Sequence, residues 1–62
     1  MKRNKILEII RELAKSQGFY GRLLYSIESA ESYNPEAYEA FMTELESQNF
    51  NEPLDLILYL ES

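Results

Sequence analysis

The chain contains neither cysteine nor histidine. Without cysteine it can form no disulfide and no thiolate metal site. Without histidine it lacks the commonest transition-metal ligand and the commonest general base. We therefore expect a protein that is not an enzyme and that uses no metal or other cofactor.

Glycine is also scarce, with only two residues in the chain, so a glycine-rich phosphate loop is excluded. The serines have no evident base beside them and fit caps, turns or surface positions. Two carboxylate pairs, Glu8/Glu12 and Glu36/Glu39, have helical spacing, but the Glu-x-x-His element of di-metal bundles is missing. These pairs are best explained as exposed acidic faces.

Long apolar runs are absent as well. The longest, residues 56–60, is far too short to span a bilayer. The segment 1–5 is basic and is followed by the apolar Ile6, which superficially resembles a signal peptide. Glu8, Arg11 and Glu12, however, interrupt any uncharged segment. We expect a cytoplasmic protein without a membrane anchor.

A chain of 62 residues makes one domain, which we place over residues 1–62. A domain of this size buries only about 60% of the surface that its unfolded chain exposes, so its stability depends on good helix packing or self-association. The apolar content of 45% and the aromatic content of 13% are typical of a folded domain, despite a net charge of −5.

Apolar residues recur at spacings of three and four, which predicts an all-α fold. We expect a compact four-helix domain built from two helical hairpins, with helices at about 4–17, 19–31, 35–48 and 52–61. Asn34 suits an N-cap, and Pro35 suits a first helical position. The last helix is apolar on more than one side and should be the most buried. Residues 54–60 are also compatible with a strand, but the chain offers no partner strand.

Two segments 31 positions apart are similar, since Ser-Gln-Gly-Phe at 16–19 matches Ser-Gln-Asn-Phe at 47–50. Glycine and asparagine are the residues that most readily adopt the left-handed conformation at a helix end. We predict that Gly18 and Asn49 follow the last helical turns of the first and third helices, and that Phe19 and Phe50 pack back on those helices. The match is either an ancient duplication or a likeness common to helix ends.

Charge is divided along the sequence. All six basic residues lie in the first 22 positions, whereas residues 23–62 hold nine acids and no base. An acidic surface suits a basic protein patch and repels nucleic-acid phosphates. Two interpretations stay open: a head-to-tail dimer, or a first helix that neutralises itself and the acidic half. Candidate ion pairs at a spacing of three on that helix are Lys5–Glu8, Glu8–Arg11 and Glu12–Lys15.

Five tyrosines are many for four short helices. A buried tyrosine needs a hydrogen-bond partner for its hydroxyl, and tyrosine is enriched at binding surfaces. Tyr25 and Tyr33 fall outside the apolar stripe of the second helix. With Tyr20 and Arg22 they form the candidate interaction surface. The alternative is that these tyrosines only line the rim of the core.

Residues 14–27 follow the spacing of a helix-turn-helix, with Gly18 at the turn. Gln17 is polar where that motif usually packs an apolar residue, and Gly21 weakens the second helix by about 1 kcal/mol. Arg22 is the only base on that helix, whereas phosphate binding usually needs several. We therefore rank a non-enzymatic module that binds a protein, either another chain or a second copy, above a DNA-binding protein.

Residues 16–24 and 48–56 resemble segments of short uncharacterised proteins from phages and mobile elements of Gram-positive bacteria. The Phe19-Tyr20…Leu24 segment and the terminal Tyr59-Leu60-Glu61 are more faintly similar to small bacterial YozE-like proteins, which have a SAM-like helical fold. The resemblance covers about a third of the chain and carries no catalytic motif. It implies a compact helical bundle of bacterial or mobile-element origin.

Overall fold

The computed structural model describes residues 1–16 and 18–62, and it confirms an all-α four-helix domain. The helices are α1 (Arg3–Ala14), α2 (Phe19–Tyr33), α3 (Pro35–Ser47) and α4 (Pro53–Glu61). The segment from Leu54 to Leu60 is part of α4, so the strand interpretation of it is wrong. None of these helices, over the residues described, has the length and apolar character needed to cross a bilayer.

The first helix is shorter than predicted. It ends at Ala14, with Lys15 as its C-cap, and the predicted end at Gln17 lies outside the described residues. The backbone N–H groups of Lys15 and Ser16 donate to carbonyls three residues earlier, at 3.2 and 3.1 Å. Bonds of this type tighten the end of a helix into a 3₁₀ turn.

Gly18 therefore does not terminate α1, and that prediction is wrong. It has the expected positive φ of 70°, but it is the N-cap residue of α2, where its carbonyl accepts from the N–H of Arg22 at 3.2 Å. Phe19 is the first residue of α2 and is 44% exposed; its ring meets that of Tyr20 edge to face, with centroids 5.0 Å apart. Because α1 stops four residues before Gly18, Phe19 belongs to the next helix and not to the end of α1.

Asn49 has the left-handed conformation that the sequence predicts. It follows Gln48, the C-cap of α3, with a φ of 54°, and its N–H donates to the carbonyl of Glu46 at 3.3 Å. Phe50 comes next, packs against the core, and meets the ring of Tyr59 edge to face at 5.4 Å. The left-handed residue, its bond to Glu46 and the inward packing of the next residue are features of a helix stop of the predicted kind.

A single residue, Asn34, separates α2 from α3. Its side-chain oxygen accepts from the N–H of Ala37 at 3.4 Å, and Pro35 follows at the first helical position, as predicted. Such a short connection keeps the two helices adjacent, and α2 and α3 are in contact.

One core joins all four helices, and α1 supplies the largest share of it. Three pairs of helices pack extensively: α1 with α2, α2 with α3, and α1 with α3. The buried apolar side chains are Ile6, Leu7, Ile9, Ile10, Ile27, Tyr38, Met42, Leu45 and Leu56. Helix α1 is thus the central element, which follows from its closely spaced isoleucines and leucines.

Helix α4 is not the most buried element, contrary to the prediction. Only Leu56 is buried, whereas Leu54 and Leu58 are 57% and 60% exposed. The carboxylate of Asp55 accepts from the N–H of Glu52 at 3.1 Å and so caps the start of the helix. The nine-residue helix is covered on only one side, on which Leu56 and the half-buried Leu60 pack against the core, and Leu54 and Leu58 therefore face outward.

Candidate protein-interaction surface

The outer face of α2, which we define as Arg22, Tyr25, Ser29 and Tyr33, carries three of the four predicted interaction residues. These positions are spaced by three and four, so they lie on one side of the helix. Tyr25 is 74% exposed and Tyr33 is 89% exposed. Both rings are therefore available for contact with another molecule.

Tyr20, the fourth predicted residue, lies away from the other three. It is half-buried, and its hydroxyl donates to the carboxylate of Glu61 in α4. Burial, followed by the hydrogen bond to Glu61, raises the pKa of Tyr20 to about 12. Tyr20 therefore connects the start of α2 to the end of α4.

A shallow hollow of about 540 Å³ opens beside the outer face of α2. It is lined by Gly18, Gly21, Arg22, Tyr25 and Ser26. The two glycines have no side chains to fill this space, so the guanidinium of Arg22 and the ring of Tyr25 border an open depression. This hollow extends the exposed tyrosine surface toward the start of α2.

A second hollow, the α2–α3 groove, has a volume of about 230 Å³ and an almost wholly apolar lining. Leu23, Ile27 and Ala30 line it from α2, and Ala37 and Phe41 line it from α3. Ser26 borders both hollows, so the groove is continuous with the outer face of α2.

This groove is not evident from the sequence, because its leucine, isoleucine and phenylalanine have the spacing of ordinary core residues. The available signal was the pair Ala30 and Ala37, which flank the one-residue turn at Asn34. Small side chains on both helices near a tight hairpin leave space between them that larger residues would fill. Half-burial of Phe41 reflects that space.

Arg3 joins α1 to α3 through two ion pairs. Its Nη1 lies 2.7 Å from the Glu39 carboxylate and its Nη2 lies 3.1 Å from that of Glu46. The backbone N–H of Arg3 also donates to Glu46 at 3.1 Å, and its guanidinium lies 5.7 Å from the ring centroid of Tyr38. Hydrogen bonds from Arg3 hold the pKa of Glu46 below 4.5, while those carboxylates raise the pKa of Arg3.

The ion pairs favour neutralisation within one chain. Two of the three predicted pairs on α1 are present, Lys5–Glu8 at 3.3 Å and Glu12–Lys15 at 2.9 Å. Arg3 adds contacts to the acidic half that no local spacing could predict. The head-to-tail dimer stays a prediction. Over residues 1–16 and 18–62, Glu28, Glu31 and Glu36 take part in no ion pair.

The described part of the chain holds no cluster of three or more acidic, cysteine or histidine side chains that could bind a metal ion. Within it, every buried side-chain nitrogen or oxygen also has a hydrogen-bond partner. What the geometry presents is a helix face with two exposed tyrosines and an apolar groove beside it.

These features define a small all-α domain with an exposed tyrosine face. Comparisons of the chain with protein-family models, curated proteins and solved structures gave no significant match. The resemblance to phage, mobile-element and YozE-like proteins stays a prediction.

Proposed function

We propose that this protein is a small non-enzymatic interaction module that binds another protein through the outer face of α2. The observation that carries the proposal is the exposure of Tyr25 and Tyr33 on one side of a single helix. A tyrosine offers a large, rigid ring and a polar tip, and ordering it costs little conformational entropy. For this reason exposed tyrosines are effective contact residues.

Charge supports a protein partner with a basic surface. The chain has a net charge of −5, and three of its basic residues, Arg3, Lys5 and Lys15, are already paired with carboxylates. A basic partner is attracted to such a surface, and its association slows as salt is added. We assign the protein to the cytoplasm and, by the resemblance noted above, to a bacterium, as the product of a phage or another mobile element.

DNA binding by residues 14–27 has less support. Arg22 is the only cation on α2, and Tyr20, which would belong to a recognition face, is held by Glu61. Affinity for DNA depends on neutralising several phosphates. A gel-shift assay at low salt tests this alternative, and retardation of a DNA duplex would overturn the ranking.

Site-specific photo-crosslinking tests the proposed function. The photoreactive residue p-benzoylphenylalanine replaces Tyr25 or Tyr33 in living host cells, and Asn4, exposed on α1, is the matched control position. We expect light-dependent adducts with a discrete protein from both tyrosine positions and none from Asn4. Light scattering after size exclusion shows whether the partner is a second copy. Equal labelling from all three positions, or no adduct at all, would contradict the proposal.

A further inference from the structure

We infer that the α2–α3 groove receives an amphipathic helix of a different protein, one with an apolar stripe and basic flanks. The inference rests on the proposed function and specifies the chemistry of the partner. Its starting point is that the groove is continuous with the outer face of α2 through Ser26. A helix seated in the groove therefore reaches the exposed tyrosines at its edge.

The size and lining of the groove suit side chains of a helix. Its volume, about 230 Å³, is below the range of about 300–1,000 Å³ that is typical of small-molecule sites. On α2 the lining extends from Leu23 to Ala30, a distance of about 10 Å along the helix axis. Two turns of a partner helix span that distance and place anchors at i, i+3 or i+4, and i+7.

The net charge of the two helices that form the groove favours a basic partner. Beyond Arg22, neither α2 nor α3 contains a lysine or an arginine. In the described residues Glu28, Glu31 and Glu36 are exposed and outside any ion pair, and Glu44 contacts only neighbours on its own helix. Lysines or arginines beside the apolar stripe of the partner would be attracted to the acidic helices that form the groove.

A second copy of this chain does not offer such a helix. Its basic helix, α1, uses its apolar side in its own core, where Ile6 and Ile10 are fully buried. Its exposed leucines, Leu54 and Leu58, lie on α4, a helix with acidic residues and no basic one. Placing α4 in the groove would bring carboxylates against an acidic surface. The occupant is therefore a different protein.

Two synthetic peptides test the inference. Each forms a helix of about five turns with the same leucine stripe; one carries lysine on its polar face and the other carries glutamate. Binding to the ¹⁵N-labelled protein is measured by fluorescence anisotropy and mapped by NMR. We expect the lysine peptide to change the NMR chemical shifts of Leu23, Ile27 and Phe41. The glutamate peptide should bind at least about tenfold more weakly.

Two variants show whether the groove itself is occupied. Ala37→Trp fills the groove from an exposed position, and Ala40→Trp adds the same side chain at an exposed position of α3 outside the groove. Circular dichroism checks that both fold. We expect Ala37→Trp to weaken binding of the lysine peptide by about tenfold or more. Ala40→Trp should leave the affinity for this peptide unchanged. Equal effects of the two variants, or no binding of the lysine peptide, would overturn the inference.

The failure of the inference and that of the proposed function are distinguishable. Suppose that the peptide changes the chemical shifts of Tyr25 and Tyr33 most, and that Ala37→Trp has no effect on its binding. This result would reject the groove and leave the outer face of α2 as the binding site. Conversely, the absence of photo-adducts from both tyrosines would reject the proposed function, whatever the peptides do.

Discussion

At the scale of single residues, Asn49 shows how one conformation determines a connection. A φ of 54° is unfavourable for most side chains because the Cβ atom comes close to the following carbonyl. After glycine, asparagine is among the residues that tolerate this conformation best. The chain therefore turns sharply after α3 and directs Phe50 to the core.

Replacing Asn49 with alanine should destabilise the domain by about 1 kcal/mol, since alanine lacks this tolerance. Asn49→Gly should retain or increase stability, because glycine adopts positive φ without strain. The neighbouring Gln48 has a right-handed φ of −74°, so Gln48→Ala is the matched control. Urea denaturation gives the free energies of unfolding. A loss from Gln48→Ala as large as that from Asn49→Ala would contradict this explanation.

Tyr20 has a role that its place in the sequence does not reveal. Its pKa is raised from 10.0 to about 12. A raised pKa means that the folded state holds this proton more tightly than the unfolded state does. The contribution of the protonated hydroxyl to stability is complete below pH 10.0 and is lost as the pH rises through about 12.

An alkaline titration followed by tyrosinate absorbance should therefore show one late step near pH 12 that Tyr20→Phe removes. Glu61→Gln takes away the charge but leaves the burial, which is the larger cause of the shift. That variant should move the step only part of the way back toward 10.0. The assignment to Tyr20 is wrong if the late step survives in Tyr20→Phe.

At the scale of elements, α4 depends on one buried side chain. Leu56 is fully buried among residues of the other helices, while Leu54 and Leu58 are exposed on the same helix. Tyr20 and Phe50 both add contacts near the C-terminal end of α4, through Glu61 and Tyr59. The attachment of this helix is therefore concentrated at few points.

Leu56→Ala should lower the free energy of unfolding by about 2–5 kcal/mol, because it leaves a cavity in the core. Leu58→Ala, at an exposed position, should change the free energy of unfolding by no more than about 0.5 kcal/mol. Thermal unfolding and urea titration compare the two variants. The described packing of α4 would be refuted by equal losses.

The contact between α1 and α3 makes stability sensitive to acid. The pKa of Glu46 lies below its ordinary 4.5, so its contribution is complete above pH 4.5 and disappears as the pH falls through the lower folded-state value. We expect Tm to fall in this range, and Glu46→Gln to make that fall smaller. Glu44→Gln is the control, since among the described residues the Glu44 carboxylate bonds only to Ser47 and Gln48 at the end of α3. Identical acid profiles for the two variants would contradict the role of Arg3 and Glu46.

At the scale of the whole molecule, one core contains side chains from all four helices. A single shared core of this size predicts two-state unfolding. Far-ultraviolet circular dichroism, which reports helix, and near-ultraviolet circular dichroism, which reports the tyrosines, should give coincident denaturation curves. Separate transitions would show that α4 melts independently of α1–α3, and hydrogen exchange by NMR would locate it.

Several features of the fold and of the candidate surface could be predicted from the sequence, because the residue patterns that indicate them are local. Spacings of three and four gave four helices, Asn34-Pro35 gave the start of α3, and Asn49 gave a left-handed end to that helix. The exposure of Tyr25 and Tyr33 also followed, since both fall outside the apolar stripe of α2. Each of these depends on residues within one or two helical turns, where backbone sterics and periodicity decide the outcome.

Which sides of the helices are covered depends on the tertiary structure. It placed Tyr20 against Glu61 and Arg3 against Glu39 and Glu46, pairs that lie 36 to 43 positions apart in the sequence. It also left Leu54 and Leu58 exposed and opened the groove between Ala30 and Ala37. An apolar stripe indicates that a helix has a side to bury. Which residues cover that side depends on how the helices pack around one core, because close packing involves the whole folded chain and not any local segment.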